Sequence, residues 1–228
     1  MSNKIYYMRV VVLEFFIENL KKEEVNNKKI IEVGSKYVNG SVRPIIEKFF
    51  QPEKYIGIDM EEGKFVDEVL PAEKLIEHFG QQSFDVVIST ELLEHVKDWR
   101  IVIHNIKGVL KEGGYLYITT CSKKFPYHSA PYDFWRYEIE DIKNIFSDFI
   151  IEKLEQDNLN AAVFLKAKKP NNFMENNLIN YELYSILENR RIKNVNDKKI
   201  IYFQKKYFLK EKIKKVIFKV GKFLFYKI

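Results

Sequence analysis

Acidic and small residues follow two short apolar runs in this sequence, at positions where a nucleotide-like ligand could bind. One run contains Glu32 and leads directly into Gly34, after which a polar loop continues to Gly40 and a helix start. A strand that ends in such a turn presents backbone N–H groups and the positive end of a helix to a ligand. The second run ends in Asp59, whose carboxylate can hold the hydroxyls of a ribose.

The loop between Gly34 and Gly40 narrows the choice of ligand. It lacks the G-x-G-x-x-G spacing that cradles the pyrophosphate of a dinucleotide, and it contains no Walker lysine. S-adenosylmethionine carries no phosphate, so it needs only room for its methionine part, a carboxylate for its ribose and an apolar slot for adenine. The residues therefore favour this cofactor over a nicotinamide, although a glycine turn also occurs in ordinary strand–helix connections.

Two histidines lie where a reacting group could be reached. His95 follows the fourth apolar run, and it could act as a base toward a substrate or hold the start of the next helix. His128 lies in a polar and aromatic loop, 123–137, that follows the fifth run. A methyl group on a sulfonium is already activated, so the protein must align a nucleophile with it and, for an oxygen nucleophile, remove a proton. We predict that His95 or His128 accepts that proton.

The loop 123–137 has two interpretations. In the first it is a lid over an acceptor pocket, with Asp133 as an alternative base and Arg136 orienting an anionic or polyhydroxyl acceptor. Tyr132 and Trp135 would then contact the substrate. In the second, the aromatic side chains anchor the loop and Asp133 forms a local ion pair with Arg136.

No metal site is predicted from the sequence. The four histidines are scattered and show no H-x-x-x-H spacing, and a single cysteine excludes a cysteine-rich zinc site and an internal disulfide. A carboxylate-bound Mg²⁺ remains compatible with this pattern.

Short apolar runs alternate with helical patterns along most of the chain, which predicts a doubly wound α/β sheet with its ligand at the carboxyl ends of the strands. The predicted strands are 28–33, 55–59, 65–69, 84–89 and 115–120, with a final antiparallel hairpin of 150–154 and 162–167. The predicted helices are 8–21, 41–50, 72–79, 98–110 and 139–146.

Four stretches together resemble the class I S-adenosylmethionine-dependent methyltransferases, in particular the type 11-like group. They are IEVGSKYVNGSVRP (31–44), YIGIDMEEGKFVD (55–67), SFDVVISTELLEHVKDW (83–99) and LKEGGYLYITT (110–120). The resemblance implies a mostly parallel, seven-stranded Rossmann-like sheet. It also implies that this domain occupies residues 1–169.

The resemblance assigns cofactor roles by position. It implies that the methionine part is held by Glu32, Gly34, Ser35, Ser89, Thr90 and Glu91, that Asp59 binds the ribose, and that Met60, Ala72 and Glu73 surround the adenine. The sequence departs from the family pattern at Pro71, where many relatives have aspartate. Its glycine loop is also longer than the usual E-x-G-x-G-x-G, so the role of Gly40 follows less directly than that of Gly34.

Charge divides the chain into two parts. Residues 170–228 contain 14 basic and 5 acidic side chains, whereas residues 1–169 contain 24 basic and 27 acidic ones. We therefore predict a basic helical C-terminal extension over 170–228, with a helix and connectors in 171–198. The single cysteine, the absence of a signal-peptide pattern and the absence of a long apolar run favour a cytoplasmic protein.

Residues 205–228 carry apolar residues at helical spacing with lysines between them. Such a basic amphipathic helix suits the inner face of an anionic membrane. It could instead pack on the body of the protein or on a second subunit in a homodimer, or it could bind RNA.

The sequence thus predicts a methyltransferase, with the hydroxyl of a small molecule, a sugar or a lipid-linked glycan as the favoured acceptor. A nucleic-acid methyltransferase that uses the basic tail is a rival, although Ser89-Thr-Glu-Leu differs from the N-P-P-Y type of base-methylating enzymes. A catalytically silent module that retains the cofactor pocket is a further alternative.

Overall fold

The computed structural model describes residues 10–128 and 132–225. The strands in these ranges are β1 (Lys29–Val33), β2 (Lys54–Asp59), β3 (Glu68–Val69), β4 (Phe84–Thr90), β5 (Leu110–Cys121), β6 (Trp135–Arg136), β7 (Ile150–Asp157), β8 (Ala162–Lys168), β9 (Leu183–Ser185) and β10 (Arg190–Ile192).

The α-helices in the same ranges are α1 (Val10–Asn19), α2 (Lys22–Val25), α3 (Arg43–Phe49), α4 (Leu75–Phe79), α5 (Trp99–Val109), α6 (Ile139–Ile145) and α7 (Asp197–Phe225). Short 3₁₀ turns occupy Ala72–Lys74 and Leu93–His95. Within the described ranges, no helix combines the length and the apolar character that crossing a bilayer requires.

The main sheet has seven strands in the order β3-β2-β1-β4-β5-β8-β7. Strands β1 to β5 pair in parallel, and β8 runs antiparallel to both of its neighbours. The strand order reverses between β1 and β4, and this switch point is where an open α/β sheet binds ligands. The predicted doubly wound, mostly parallel, seven-stranded sheet is confirmed, including its final hairpin.

The inner strand β1 is buried on both faces, as its continuous apolar character predicts. Ile30 packs in one hydrophobic cluster with Phe16 of α1, whereas Ile31 packs in the other cluster with Trp99 of α5. Because successive strand residues point to opposite faces, this alternation fixes the register of β1. The same register brings the residue after Val33 to the switch point.

Two of the predicted elements beside the first turn have different bounds in the structure. The strand predicted over 65–69 is reduced to β3, because Phe65 has φ of +71° and cannot continue an extended strand. The helix predicted from Ser41 begins at Arg43, although the Ser41 hydroxyl still accepts a hydrogen bond from the Arg43 N–H at 3.1 Å.

A second, antiparallel sheet has the order β10-β9-β6 and was not predicted. It corrects the prediction of a helix within 171–198, because Leu183 of β9 and Ile192 of β10 are buried in the main hydrophobic cluster instead. Strands of two or three residues are too short to show a period in the sequence. The division of the chain at residue 169 stays a prediction, with β6 and β9 pairing across it.

Candidate functional site

The turn after β1 is held against β2 by backbone hydrogen bonds. The N–H groups of Gly34 and Ser35 both donate to the carbonyl of Ile58, each at 2.9 Å. Gly34 has φ of +82°, and a Cβ added there would come within 3.0 Å of the Leu92 side chain. The turn therefore requires glycine for its backbone conformation and for the close approach of the loop that follows β4.

The carboxylate of Asp59 lies beside this turn, at the end of β2. Its Oδ2 accepts a hydrogen bond from the Lys36 N–H at 3.3 Å, and its Oδ1 accepts one from the Glu61 N–H at 3.1 Å. Met60 follows with an exposed side chain. The parallel pairing of β1 and β2 thus brings the carboxylate predicted for the ribose next to the glycine turn, as a nucleoside-containing ligand would require.

Gly57 is a residue of this site that sequence reasoning missed. A Cβ added to Gly57 would lie 2.1 Å from the Phe65 carbonyl oxygen and 2.6 Å from the Ser35 hydroxyl. The Gly57 N–H also donates to Asp67 Oδ2 at 2.7 Å. A glycine inside an otherwise apolar strand was the available signal, because it often marks the close approach of another chain segment.

Glu32 lies in β1 beneath the turn and has almost no exposed surface. The Tyr55 hydroxyl donates to its Oε2 at 2.7 Å. Burial raises the pKa of this carboxyl to about 7, while the Tyr55 hydrogen bond and the charge of Arg43 act in the opposite direction. Because the carboxyl is already engaged within the protein, its direct contact with a cofactor stays a prediction.

Three further residues were predicted near the cofactor, namely Gly40, Ala72 and Glu73. The positive φ values among the described glycines belong to Gly34, Gly80 and Gly113, so Gly40 needs no such freedom. Ala72 is buried at the start of its 3₁₀ turn, and the neighbouring Glu73 is exposed. These positions leave the adenine contacts predicted for Ala72 and Glu73 untested.

The end of β4 carries the next group of predicted residues. Ser89 and Thr90 are buried, and the Ser89 hydroxyl has no protein partner among the described residues. Glu91 follows with φ of +53°, and its N–H donates to the Thr119 carbonyl at 2.9 Å. A non-glycine residue in this conformation is uncommon and often marks a functional site. A glycine cradle, a strained turn and a buried free hydroxyl at the switch point fit the predicted cofactor.

Glu94 anchors a buried polar cluster at the ends of β4 and β5. The Thr120 hydroxyl donates to its Oε2 at 2.9 Å, and the Cys121 thiol donates to its Oε1 at 3.1 Å. Burial would raise the pKa of Glu94, but His95, the Cys121 thiol and His128 together lower it.

Glu94, Cys121 and His128 could also offer ligand atoms to a metal ion, since one atom from each lies within 4.8 Å of the others. Spacing could not reveal this group, because its three members come from separate segments. The thiol and the carboxylate already satisfy each other, so the cluster is complete without a cation.

The two candidate bases lie side by side. The ring centroids of His95 and His128 are 4.8 Å apart, and each side chain is about one quarter exposed. Nδ1 of His95 pairs with the Tyr132 carbonyl. Nδ1 of His128 lies 3.0 Å from Oδ2 of Asp133 without the geometry of a hydrogen bond, and the His128 backbone N–H donates to the same oxygen at 2.8 Å. The structure thus brings together His95, His128 and Asp133, the three residues predicted for proton transfer.

The ion pair between Asp133 and Arg136 is fully buried. Arg136 donates to both carboxylate oxygens of Asp133, at 2.6 and 3.0 Å, and to the carbonyls of Phe125, Pro126 and Trp135. Hydrogen bonds from His128 and Arg136 outweigh the effect of burial and lower the pKa of Asp133 to about 2. Arg136 has no N–H left for an acceptor, which corrects its interpretation as an acceptor-binding residue.

Trp135 is likewise an anchor. It is fully buried, and its Nε1–H is shared between the carbonyls of Val96 and Lys97 at 3.0 and 3.1 Å. This corrects the prediction that Trp135 contacts the substrate and supports the second interpretation of the loop. Tyr132 is different, because it is 45% exposed, and its contact with an acceptor stays a prediction. The loop therefore combines buried anchors with the accessible side chains of His128 and Tyr132.

Comparison with known proteins places these features in a family. A family model described as a methyltransferase domain matches residues 6–161. A hybrid PKS-NRPS synthetase, poxE, of Penicillium oxalicum is 30% identical over 92 residues, which cover 39% of this chain. The chain spans about 2% of the length of that synthetase.

Solved structures share the fold at low sequence identity. The S-adenosylmethionine-dependent methyltransferase of Mesorhizobium loti is 18% identical, with a TM-score of 0.52 over 70% of this chain and 96% of that one. The 1,6-didemethyltoxoflavin-N1-methyltransferase of Burkholderia thailandensis is 11% identical, with a TM-score of 0.53 over 71% of this chain and 76% of that one.

The [4+2]-cyclase SpnF is 14% identical, with a TM-score of 0.55 over 70% of this chain and 81% of that one. Its name describes a cyclisation, so the shared fold alone does not fix a reaction. The family model, the sheet order and the site at the switch point agree with one another. This chain belongs to the methyltransferase-domain family and has the fold of the S-adenosylmethionine-dependent methyltransferases.

Proposed function

We propose that this enzyme methylates a hydroxyl oxygen of a small molecule, a sugar or a lipid-linked glycan, and that His128 is the general base. The observation that supports this proposal is the pair formed by His128 and the buried Asp133. A carboxylate beside Nδ1 favours the tautomer with its proton on Nδ1, which leaves the lone pair on Nε2. A partly exposed imidazole in this state can accept a proton from an alcohol.

The transfer of the methyl group and of the proton can be written with the acceptor, S-adenosylmethionine and His128 alone. The acceptor oxygen forms a bond to the methyl carbon as the bond from that carbon to the sulfonium sulfur breaks. The hydroxyl proton passes to Nε2 of His128, and the products are a methyl ether and S-adenosylhomocysteine. In this scheme Asp133 holds the imidazole in place and stabilises its protonated form, and Arg136 fixes Asp133.

His95 has a supporting place in the proposal. Its ring lies against that of His128, and Nδ1 is held by the Tyr132 carbonyl. The contact connects the base to Tyr132, the exposed aromatic residue of the same loop. We therefore expect His95 to shape the acceptor pocket, with a smaller effect on the rate than His128 has.

The test is a transfer assay with S-adenosylmethionine labelled in its methyl group and a panel of alcohols, nucleotide sugars and lipid-linked glycans. Mass spectrometry identifies the methylated atom. With the acceptor found, His128→Ala should lower kcat by about 10²–10⁴-fold, as loss of a general base does, and leave the affinity for the cofactor unchanged.

His104→Ala is the matched control, because His104 lies on the exposed side of α5 and pairs with Glu175. It should retain the wild-type rate. A wild-type rate in His128→Ala would remove the base assignment. A product methylated on nitrogen, on carbon or on a nucleic acid would contradict the proposed acceptor class.

A further inference from the structure

The first turns of α7 pack against the body of the protein. Ile200 and Phe203 are partly buried against the main hydrophobic cluster. The rings of Phe203 and Tyr207 lie 6.0 and 5.6 Å from the ring of Tyr127, which directly precedes His128. The spacing of three and four residues places these contacts on one side of the helix. This side of α7 is therefore already covered.

Another side of α7 carries large apolar residues that are exposed to solvent. Tyr202, Leu209 and Ile213 are each at least half exposed. Their separations of seven and four residues place them on a common side of the helix, away from Phe203 and Tyr207. In the sequence, Val216, Val220 and Leu224 continue this period. An apolar stripe of this kind is uncommon on a surface that meets only water.

Lysines lie on both borders of this stripe. Lys205 and Lys212 lie on one border and Lys206 and Lys210 on the other, and all four are exposed. Over the whole helix the sequence contains ten lysines and only two acidic residues. Lysine stems can lie along apolar surface while their ammonium groups reach outward to negative charge.

This charge pattern discriminates between candidate occupants. A second copy of α7 placed on the stripe would bring two rows of lysine together, with few carboxylates to pair them, so a homodimer through this face is disfavoured. A single strand of nucleic acid would match the charge but would leave the aliphatic side chains of Leu209 and Ile213 without a partner. An anionic bilayer offers negative headgroups at the border and an apolar layer at the centre.

We propose that α7 binds the surface of an anionic lipid bilayer through the stripe of Tyr202, Leu209 and Ile213, with the lysines at its borders contacting the headgroups. The helix would lie in the plane of the interface. Because Tyr127 joins α7 to the loop that carries His128, the bound helix would hold the acceptor side of the enzyme near the membrane. This last step rests on the proposed function and points to a hydroxyl carried by a lipid-linked acceptor.

The test is co-sedimentation of the full chain with vesicles, which needs no activity. We expect binding at low salt to vesicles of equal parts phosphatidylglycerol and phosphatidylcholine, and not to pure phosphatidylcholine. Ile213→Glu places a charge in the stripe and should lower the bound fraction about tenfold, since binding depends on buried apolar area. Ile101→Glu is the matched control, because Ile101 of α5 is equally exposed outside the stripe, and it should bind as the wild type does.

Four results would overturn the proposal. One is failure of the wild-type protein to bind the mixed vesicles, and another is equal binding by Ile213→Glu. The third is a dimer in solution, by light scattering without lipid, that Ile213→Glu dissociates, because a second copy would then cover the stripe. Retention of a single-stranded RNA probe without vesicle binding would assign the lysines to nucleic acid instead. All these results are independent of any methyl transfer, so the proposed function could fail or hold separately.

Discussion

The two halves of the candidate site are built in different ways. The cofactor half, formed by the turns after β1 and β2, depends on backbone geometry, with Gly34 in a left-handed conformation and Gly57 in contact with the Phe65 carbonyl. The acceptor half, formed by the ends of β4 and β5 and by residues 123–128 and 132–137, depends on buried charge. Its centre is the ion pair of Asp133 and Arg136, both without exposed surface.

This difference corresponds to what each half must do. A cofactor of fixed shape can be held by N–H groups and close approaches that side chains would obstruct. A base must keep one orientation and one protonation state, which requires charged partners shielded from water. Variants that remove charge should therefore damage the acceptor half most, and variants that add a Cβ should damage the cofactor half.

The largest expected effect comes from Asp133→Asn. The substitution leaves the buried Arg136 guanidinium without its counter-ion, and loss of one partner of a buried pair costs about 3–5 kcal/mol. The free energy of unfolding in urea measures this loss, and failure to fold would be the extreme form of the same result. Glu61→Gln is the control, because Glu61 pairs with Lys36 at the exposed surface and should cost less than about 1 kcal/mol. Equal stability of Asp133→Asn and wild type would show that the acceptor half does not depend on this buried ion pair.

The second-largest expected effect is on the pH dependence of stability, and it comes from Glu32, the buried carboxyl of the cofactor half. The pKa of Glu32 is raised to about 7 in the folded state, against an ordinary value of 4.5. Folding therefore retains a proton that the unfolded chain releases, and this group makes the protein less stable as the pH rises from about 4.5 to 7.

Glu32→Gln keeps an acceptor for the Tyr55 hydroxyl and removes the titration. It should match the wild type at pH 4 and exceed it by up to about 3 kcal/mol at pH 8. Urea unfolding across this pH range measures the difference, and the exposed Glu77→Gln serves as the control. A constant difference between Glu32→Gln and wild type at all pH values would show that the carboxyl does not titrate in this window.

The smallest expected effect comes from Gly57→Ala. The added methyl group would overlap the Phe65 carbonyl and the Ser35 hydroxyl, so β2 and the glycine turn must separate. Overpacking of this kind costs about 1–3 kcal/mol. Thermal and urea unfolding measure it, with Gly40→Ala as the control at a glycine without positive φ. If Gly57→Ala were as stable as Gly40→Ala, the cofactor half would not depend on this close approach.

The same contrast explains how much the sequence could predict. The main sheet and the cofactor half could be predicted from the sequence, because periodicity, the Gly34 turn and the carboxylate of Asp59 are local patterns. The roles of Trp135 and Arg136 were left open, because spacing cannot decide whether a side chain faces a pocket or the interior. Only the burial of both residues, with every N–H of Arg136 engaged, distinguishes the two interpretations.

The pairing of strands far apart in the chain could not be predicted from the sequence, for a related reason. The small sheet joins β6 to β9 across almost fifty residues, with two or three residues a strand. The proximity of Glu94, Cys121 and His128 also arises only when the ends of β4 and β5 and the following loop come together. Neither feature leaves a period or a fixed spacing in the chain.

The most direct test of the cofactor site is calorimetric binding of S-adenosylmethionine and S-adenosylhomocysteine to the wild type and to Asp59→Ala. A site between β1 and β2 predicts micromolar binding of both ligands to the wild type. It predicts a loss in Asp59→Ala of at least about tenfold, since a bound ribose would lose its charged acceptor. Glu73→Ala changes an exposed residue that is predicted to lie at the adenine edge. Its affinity for the two ligands, set against that of Asp59→Ala, compares the contribution of the adenine edge with that of the ribose position. Absence of binding to the wild type, or equal affinity in Asp59→Ala, would contradict a cofactor site between β1 and β2.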